Sequence, residues 1–260
     1  MNTIVGRLTH LCTLLLTLAA ANAWAASPVA DATAIRAAIA APDRPASDRA
    51  DDGRRKPQEV LEFIGARPGM HVIDVFSGSG YYEELLTRIV GPTGRVVAYN
   101  NETYEKFAEP RVTERYKGGR LPRVERLTVS IEKLKLAPQS FDAAIFIMSY
   151  HDLYWRPGDG SWPDTVPGPL LEKLRTALKP GGIVVVEDHA ARPGGEPTEV
   201  ATSLHRIDPA RVRQDFEAAG FVLARQSDAL AHPADDRTRI VFDPAIRGKT
   251  DQFIYLFRKR

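Results

Sequence analysis

Two pairs of acid and imidazole side chains carry the strongest promise of chemistry in this chain. They are His151-Asp152, inside Ser149-Tyr150-His151-Asp152-Leu153-Tyr154-Trp155, and Asp188-His189, preceded by Glu187. An imidazole titrates near neutral pH, so His151 could take a proton from a substrate. Asp152 could orient it or hold a cation, and His189 could serve the same pocket. Each pair follows a short apolar, β-branched run, read as strands at Ala143–Met148 and Ile183–Asp188. The plainer alternative is that His151 only caps its strand while Tyr154 and Trp155 pack. A divalent metal ranks below a metal-free base, because no His-x-His or Glu-x-x-His spacing is present. In His205-Arg206-Ile207-Asp208, Asp208 suits a helix cap and Pro209 a first helical position, while His205 and Arg206 could line a pocket or meet an anion. The Gly/Pro/Trp stretch from Trp155 to Pro163 reads as a lid.

A second constellation lies upstream, in Val72-Ile73-Asp74-Val75-Phe76-Ser77-Gly78-Ser79-Gly80. An apolar strand runs into a Ser/Gly turn and then into the helical pattern Tyr81–Val90. Gly78 and Gly80 let a ligand approach the backbone, and the N–H groups of the following helix face it. A dinucleotide site would place a further glycine where Glu83 stands and an acid after Tyr99. Neither is present, which disfavours a nicotinamide enzyme. Asp74 within the strand suits a ligand with a cationic end.

The elements that must position these groups alternate. Further strands are read at Arg95–Tyr99, Leu127–Ser130, Val222–Gln226 and Gln252–Arg258, with helices at Pro57–Ile64, Tyr104–Tyr116, Pro169–Leu178 and Pro209–Ala219. That alternation predicts an α/β domain with a parallel sheet covered on both faces. Residues 57–260 form it, preceded by a helical arm and linker over 26–56. Within that arm Ala32–Ala41 is helical and Pro42–Lys56 a polar surface linker. Residues 1–25 read as a secretory signal: a cationic start with Arg7, an apolar run, and Ala23-Trp24-Ala25 before the cut. Its apolar run is shorter than the ~20 residues a membrane span needs. Export to the periplasm or beyond is therefore expected. The only cysteine, Cys12, would leave with the signal.

The turn resembles the first motif of the class I S-adenosylmethionine-dependent methyltransferases, with Asp74 as its acid and Phe76 in place of its first glycine. The likeness continues in order through Gly94–Tyr99, Leu127–Glu132, Ser140–Phe146 and Leu178–Val186, and covers nearly all of Pro57 to Lys259. It is nearest in flavour to a group of predicted extracytoplasmic methyltransferases. It implies a doubly wound, mostly parallel seven-stranded sheet, Rossmann-like, with an antiparallel last strand. It also implies S-adenosylmethionine as cofactor. Asp74, Phe76, Gly78 and Gly80 would cradle its amino-acid end, with Ser149 beside the crevice. Asn100 and Asn101 would hold the ribose and Ser130 and Ile131 the adenine, at positions where the family usually carries acids.

At 260 residues, with 43% apolar and 26% charged side chains, the chain holds one full-sized domain. A net charge of +2 gives no field that would argue for nucleic acid. The basic run from Arg111 to Arg126 reads as a solvated helix face, without the interleaved aromatics of an RNA binder. The expected function is methyl transfer to a small molecule. The alternative is a binding protein that keeps the fold without the reaction.

Overall fold

In the run Ala143-Ala144-Ile145-Phe146 every side chain is buried, yet neighbours face opposite ways. Ala144 and Phe146 join one apolar cluster with Ile73, Val75, Val184 and Val186. Ala143 and Ile145 join another with Val72, Val96 and Val185. A strand that is apolar on both faces needs cover on both. Helices provide it here, and each fully buried Val, Leu or Ile contributes about 1.5–3 kcal/mol.

The computed structural model describes residues 29–260. Seven strands form one sheet: β1 (His71–Val75), β2 (Arg95–Asn100), β3 (Val124–Thr128), β4 (Phe141–Ile147), β5 (Leu178–His189), β6 (Phe221–Ser227) and β7 (Gln252–Lys259). Their order is β3-β2-β1-β4-β5-β7-β6. β3, β2, β1, β4 and β5 pair in parallel, while β7 runs antiparallel to both β5 and β6. The strand order reverses beside β1 and β4, so a crevice opens above their C-terminal ends. The expected mostly parallel seven-stranded α/β sheet with an antiparallel last strand is what forms.

The helices among the described residues are α1 (Ala32–Ile39), α2 (Ala46–Arg55), α3 (Pro57–Ile64), α4 (Tyr81–Val90), α5 (Glu102–Ala108), α6 (Arg111–Tyr116), α7 (Pro167–Ala177), α8 (Pro197–Leu204) and α9 (Pro209–Ala218). No helix among them is long and apolar enough to cross a membrane. The signal segment read over residues 1–25 lies outside the described residues.

Three local readings differ from the structure. The helix expected over Tyr104–Tyr116 is two helices, because Pro110 lacks the N–H that a continuous helix needs. Pro42–Lys56 contains α2 rather than a surface linker. Its charges find fixed partners: Arg44 grips Asp52 at 2.7 and 2.8 Å, and Asp48 is buried against Arg115. Pro180-Gly181-Gly182, outside the strand read at Ile183–Asp188, lies inside β5. There the pairing jumps from Phe141↔Leu178 to Ala143↔Ile183, so Lys179 to Gly182 bulge outward with Gly181 at φ +74°.

Candidate active site

β1 delivers Asp74 to the crevice, and the chain then turns through Phe76 at φ +54°. That is left-handed backbone, costly for a bulky residue and natural for the glycine it replaces. Contacts hold it there. The Phe76 N–H donates to the Tyr99 carbonyl at 2.7 Å, and its ring stacks on Tyr104 at 5.0 Å, only 7° from parallel. Gly80, at φ +84°, leads into α4, and a Cβ there would sit 2.7 Å from a Glu83 carboxylate oxygen. Glu83 therefore tucks beneath the turn, where the Tyr116 hydroxyl donates to it. Burial raises its pKa to about 7 despite Ser77 and Tyr116. Asp74 is pushed well above its ordinary value, first by burial and then by the Glu83 charge. The turn thus holds two carboxyls that resist ionisation without a cation between them.

A small cavity of about 170 Å³ opens on Asp74, Phe76, Ser77, Gly78 and Ser79. It shares Arg55, Ser79, Tyr81, Tyr104, Phe107, Arg111 and Met148 with a larger one of about 1030 Å³. The larger cavity reaches from α2 to His151, Asp152, His189 and His205, with Trp155, Trp162 and Phe242 in its wall. Arg55, from the helix the sequence reads as linker, stands where the two meet. Its guanidinium lies 4.5 Å from the Tyr81 ring, and its Nε is buried without a hydrogen-bond partner.

On the other side of the turn the expected ribose and adenine contacts are spent or turned away. The Asn100 carboxamide oxygen accepts from Gly78 N–H at 3.3 Å, and its nitrogen donates to Glu105 at 2.8 Å. Asn101 caps α5, accepting from Tyr104 N–H at 2.7 Å, although its Nδ2 remains buried and unpaired. Asn100, Asn101, Ser130 and Ile131 border neither of these cavities. Ser149 is buried and donates to the Val75 carbonyl at 3.0 Å, tying β4 to β1.

The opposite wall is built from β4 and β5, parallel neighbours that bring their C-terminal ends together. His151 Nδ1 lies 2.8 Å from Asp188, whose second oxygen accepts the His151 backbone N–H at 2.9 Å. The other ring nitrogen, Nε2, is 3.4 Å from Asp152. Burial opposes charge on His151, but the Asp188 and Asp152 carboxylates outweigh it and raise its pKa to about 9. The ring therefore holds its proton at neutral pH, which counts against the role of base read for it. Burial raises Asp152 to about 6, even with His151 beside it. Burial keeps His189 neutral, with a pKa of about 3, and its Nδ1 meets Thr250 Oγ1 at 2.9 Å. Both His–Asp pairs thus share one pocket, but the close partner of His151 is Asp188 across the sheet as well as its neighbour Asp152.

Other readings resolve differently. Trp162 is buried, donates to the Asp152 carbonyl at 3.0 Å and meets Trp155 edge-on at 5.0 Å, so the two tryptophans pack on the pocket while the loop tip between them, Gly158 to Ser161, is exposed. Asp208 caps α9 with Pro209 in its first turn, as the sequence predicts. Arg206 is fully buried against Asp235, and structural rather than ligand-facing. Arg115, expected on a solvated face, is buried between Asp48 and Glu84 at 2.6 Å each. What sequence reasoning missed was α2, which contributes Arg55 and Arg54 to the cavity; the only signal was the density of Asp and Arg beside Pro45.

Comparison with known proteins agrees with the fold. A family model described as protein-L-isoaspartate(D-aspartate) O-methyltransferase matches residues 57–113. The ubiquinone/menaquinone biosynthesis C-methyltransferase of Pseudomonas entomophila is 28% identical over 128 residues, 49% of this chain and 44% of that protein. This chain thus spans less than half the length of that relative. A SAM-dependent methyltransferase from Aquifex aeolicus superposes with a TM-score of 0.59 at 21% identity, covering 88% of this chain and 99% of that one. The fold is that of the class I S-adenosylmethionine-dependent methyltransferases. The [4+2]-cyclase SpnF shares it too, with a TM-score of 0.53 at 19% identity over 82% of this chain and 81% of that one.

Within that fold, the residues can be weighed against S-adenosylmethionine itself. Its amino-acid end carries an ammonium and a carboxylate. Asp74 lines the small cavity with a buried carboxyl, and Arg55, whose Nε makes no hydrogen bond and meets Asp51 only at 3.8 Å, borders the same cavity, so an acid and a base face the space where those charges would lie. Tyr104, flat on Phe76, stands between the turn and Trp162, whose ring it meets at 5.5 Å. The chemistry of the site fits the cofactor, and Tyr104 is the side chain that would have to give way to its nucleoside.

Proposed function

We propose that this protein is an exported methyltransferase that moves a methyl group from S-adenosylmethionine to a small molecule. The observation that carries the reading is the junction of the two cavities: the one at the glycine turn opens into the one that ends on His151 and Asp152. The cofactor supplies an electrophilic methyl group on a sulfonium. Asp74 would hold its ammonium and Arg55 its carboxylate. The acceptor would lie in the larger cavity, against Met148 and His151, walled from water by Trp155 and Trp162. As the acceptor's lone pair forms the new bond to carbon, the carbon–sulfur pair stays on sulfur. His151, held by Asp188, orients the acceptor as a hydrogen-bond donor, and Asp152 in the same wall is placed to take its proton. Export is inferred from the segment before residue 26 alone.

A second reading is favoured by a specific observation. Asn100 spends its carboxamide inside the protein and Tyr104 fills the space beside Phe76, as expected of a fold kept for binding or another reaction. SpnF, described as a cyclase, is a neighbour of that kind. Isothermal titration of the protein with S-adenosylmethionine, S-adenosylhomocysteine and NAD separates the readings. Saturable heat with both sulfur ligands, lost in Asp74→Ala, supports transfer. Silence with both overturns it in favour of the second reading. Fusion of the first 30 or so residues to a reporter active only outside the cytoplasm tests export, and an inactive fusion overturns that part.

A further inference from the structure

Three side chains from two segments meet at the far end of the large cavity. His151 follows β4, Asp152 is its neighbour, and His205 arrives from the end of α8. One donor atom from each lies within 4.8 Å of the other two. The His151 Nε2 to Asp152 Oδ1 separation is 3.4 Å. Tetrahedral bonds of ~2.1 Å would set donors roughly 3.4 Å apart, so this pair already has coordination spacing. His205 needs only to swing closer, and its ring is guided by Trp155 at 5.2 Å and Phe242 at 4.8 Å. Its backbone is in the left-handed region, at φ +49°. This costly conformation points the residue off the end of α8 instead of along it.

The surroundings match what a bound cation requires. Asp188 Oδ1 sits 2.8 Å from His151 Nδ1, which fixes the ring orientation and leaves Nε2 directed at the other two donors. A carboxylate behind a ligating histidine is the usual support of a metal site, because it sets the tautomer and strengthens the donor. All three residues line the cavity of about 1030 Å³, so a cation held by them would keep an open position toward it. Two imidazoles and one carboxylate suit a divalent transition metal and not magnesium or calcium, which prefer oxygen.

We propose that His151 Nε2, Asp152 and His205 form a mononuclear site for a zinc-class divalent cation whose open position takes an oxygen donor of the pocket's substrate. The site uses the His151 Nε2 and Asp152 that the proposed transfer assigns to the acceptor, so with the cation bound the metal, in place of the His151 proton, would hold the acceptor oxygen; metal binding itself does not depend on that reaction. No local sequence spacing announces the site; it exists only because α8 ends beside the strand ends.

The test uses the full-length chain stripped with a chelator, followed by titration with Zn²⁺ and, separately, Co²⁺. One Zn²⁺ per chain with micromolar or tighter affinity is expected, together with a visible Co²⁺ spectrum of low coordination number. His205→Gln, which removes a half-buried ligand, should weaken Zn²⁺ at least tenfold and abolish the Co²⁺ bands. Asp152→Asn should do the same, while His71→Gln, at the opposite end of the sheet, should bind as the parent does. Circular dichroism confirms that each variant is folded. Absence of stoichiometric Zn²⁺ uptake by the parent overturns the proposal, as does unchanged affinity in both folded site variants. Because metal uptake is read without S-adenosylmethionine, a protein that binds Zn²⁺ and no sulfur ligand keeps this site and loses the transfer reading, and the converse result does the reverse.

Discussion

The two sides of the crevice are built from the same fold and carry opposite contents. Toward β2 and β3, polar side chains have turned inward: Asn100 braces the turn, Asn101 caps a helix, and Phe76 and Tyr104 stack face to face. Toward β4 and β5, His151, Asp152, His189 and His205 border open volume. The first side spends most of its polar groups internally, with the Tyr99 hydroxyl and Asn101 Nδ2 left over, whereas the second keeps buried groups whose charges need a ligand or one another. Cavity volume beside imperfectly paired titratable groups marks the reactive side. Glycine-turn geometry alone would have pointed to the other.

Breaking the ion cluster that fastens α2 should have the largest effect. Arg115→Ala removes the cation paired with buried Asp48, while Glu84 keeps Arg88 and Arg120, and should cost about 3 kcal/mol in chemical denaturation. A loss under ~1 kcal/mol would mean that α2 is not anchored by this pair. Next comes the turn: Asp74→Asn keeps the shape but removes the charge, and should weaken S-adenosylmethionine roughly 10- to 100-fold by calorimetry. Unchanged affinity would shift the ammonium contact elsewhere. Tyr104→Ala sharpens the contrast directly. If its ring fills nucleoside space, affinity rises about fivefold, on the scale of one lost aromatic pair of ~1 kcal/mol. A fall would recast Tyr104 as a stacking platform.

The smallest effect is a slope. Glu83, with a pKa of about 7 in the fold, binds its proton more tightly than in the unfolded chain. Its contribution is fully present below the unfolded carboxyl value and is lost as pH rises through about 7. The melting temperature should therefore decline between pH 5 and 8, and Glu83→Gln should flatten that decline. An identical slope in the variant would remove Glu83 as its source.

Much of this was legible in the residues. Apolar, β-branched runs ended by Gly, Pro and Asp announced all seven strands, most sharply the central ones buried on both faces, whereas half-exposed β3 was read three residues late and β5 begins five residues before its apolar run. The Asp74–Gly80 turn was equally clear, because positive φ at Gly78 and Gly80 demands their type. Helix α2 was not, since Ala46–Arg55 has almost no apolar stripe; ion pairs with residues distant in sequence hold it in place instead.

The sequence by itself determined the layers, the turn and the positions of His151 and His189 at strand ends, because these follow from local periodicity and backbone sterics. Only the tertiary structure decided what those groups do together. Pairing β4 beside β5 set Asp188 behind His151, the end of α8 brought His205 within reach of both, and folding Tyr104 back onto Phe76 took up space at the turn. Contacts between residues far apart in the chain depend on packing geometry, which no local pattern encodes.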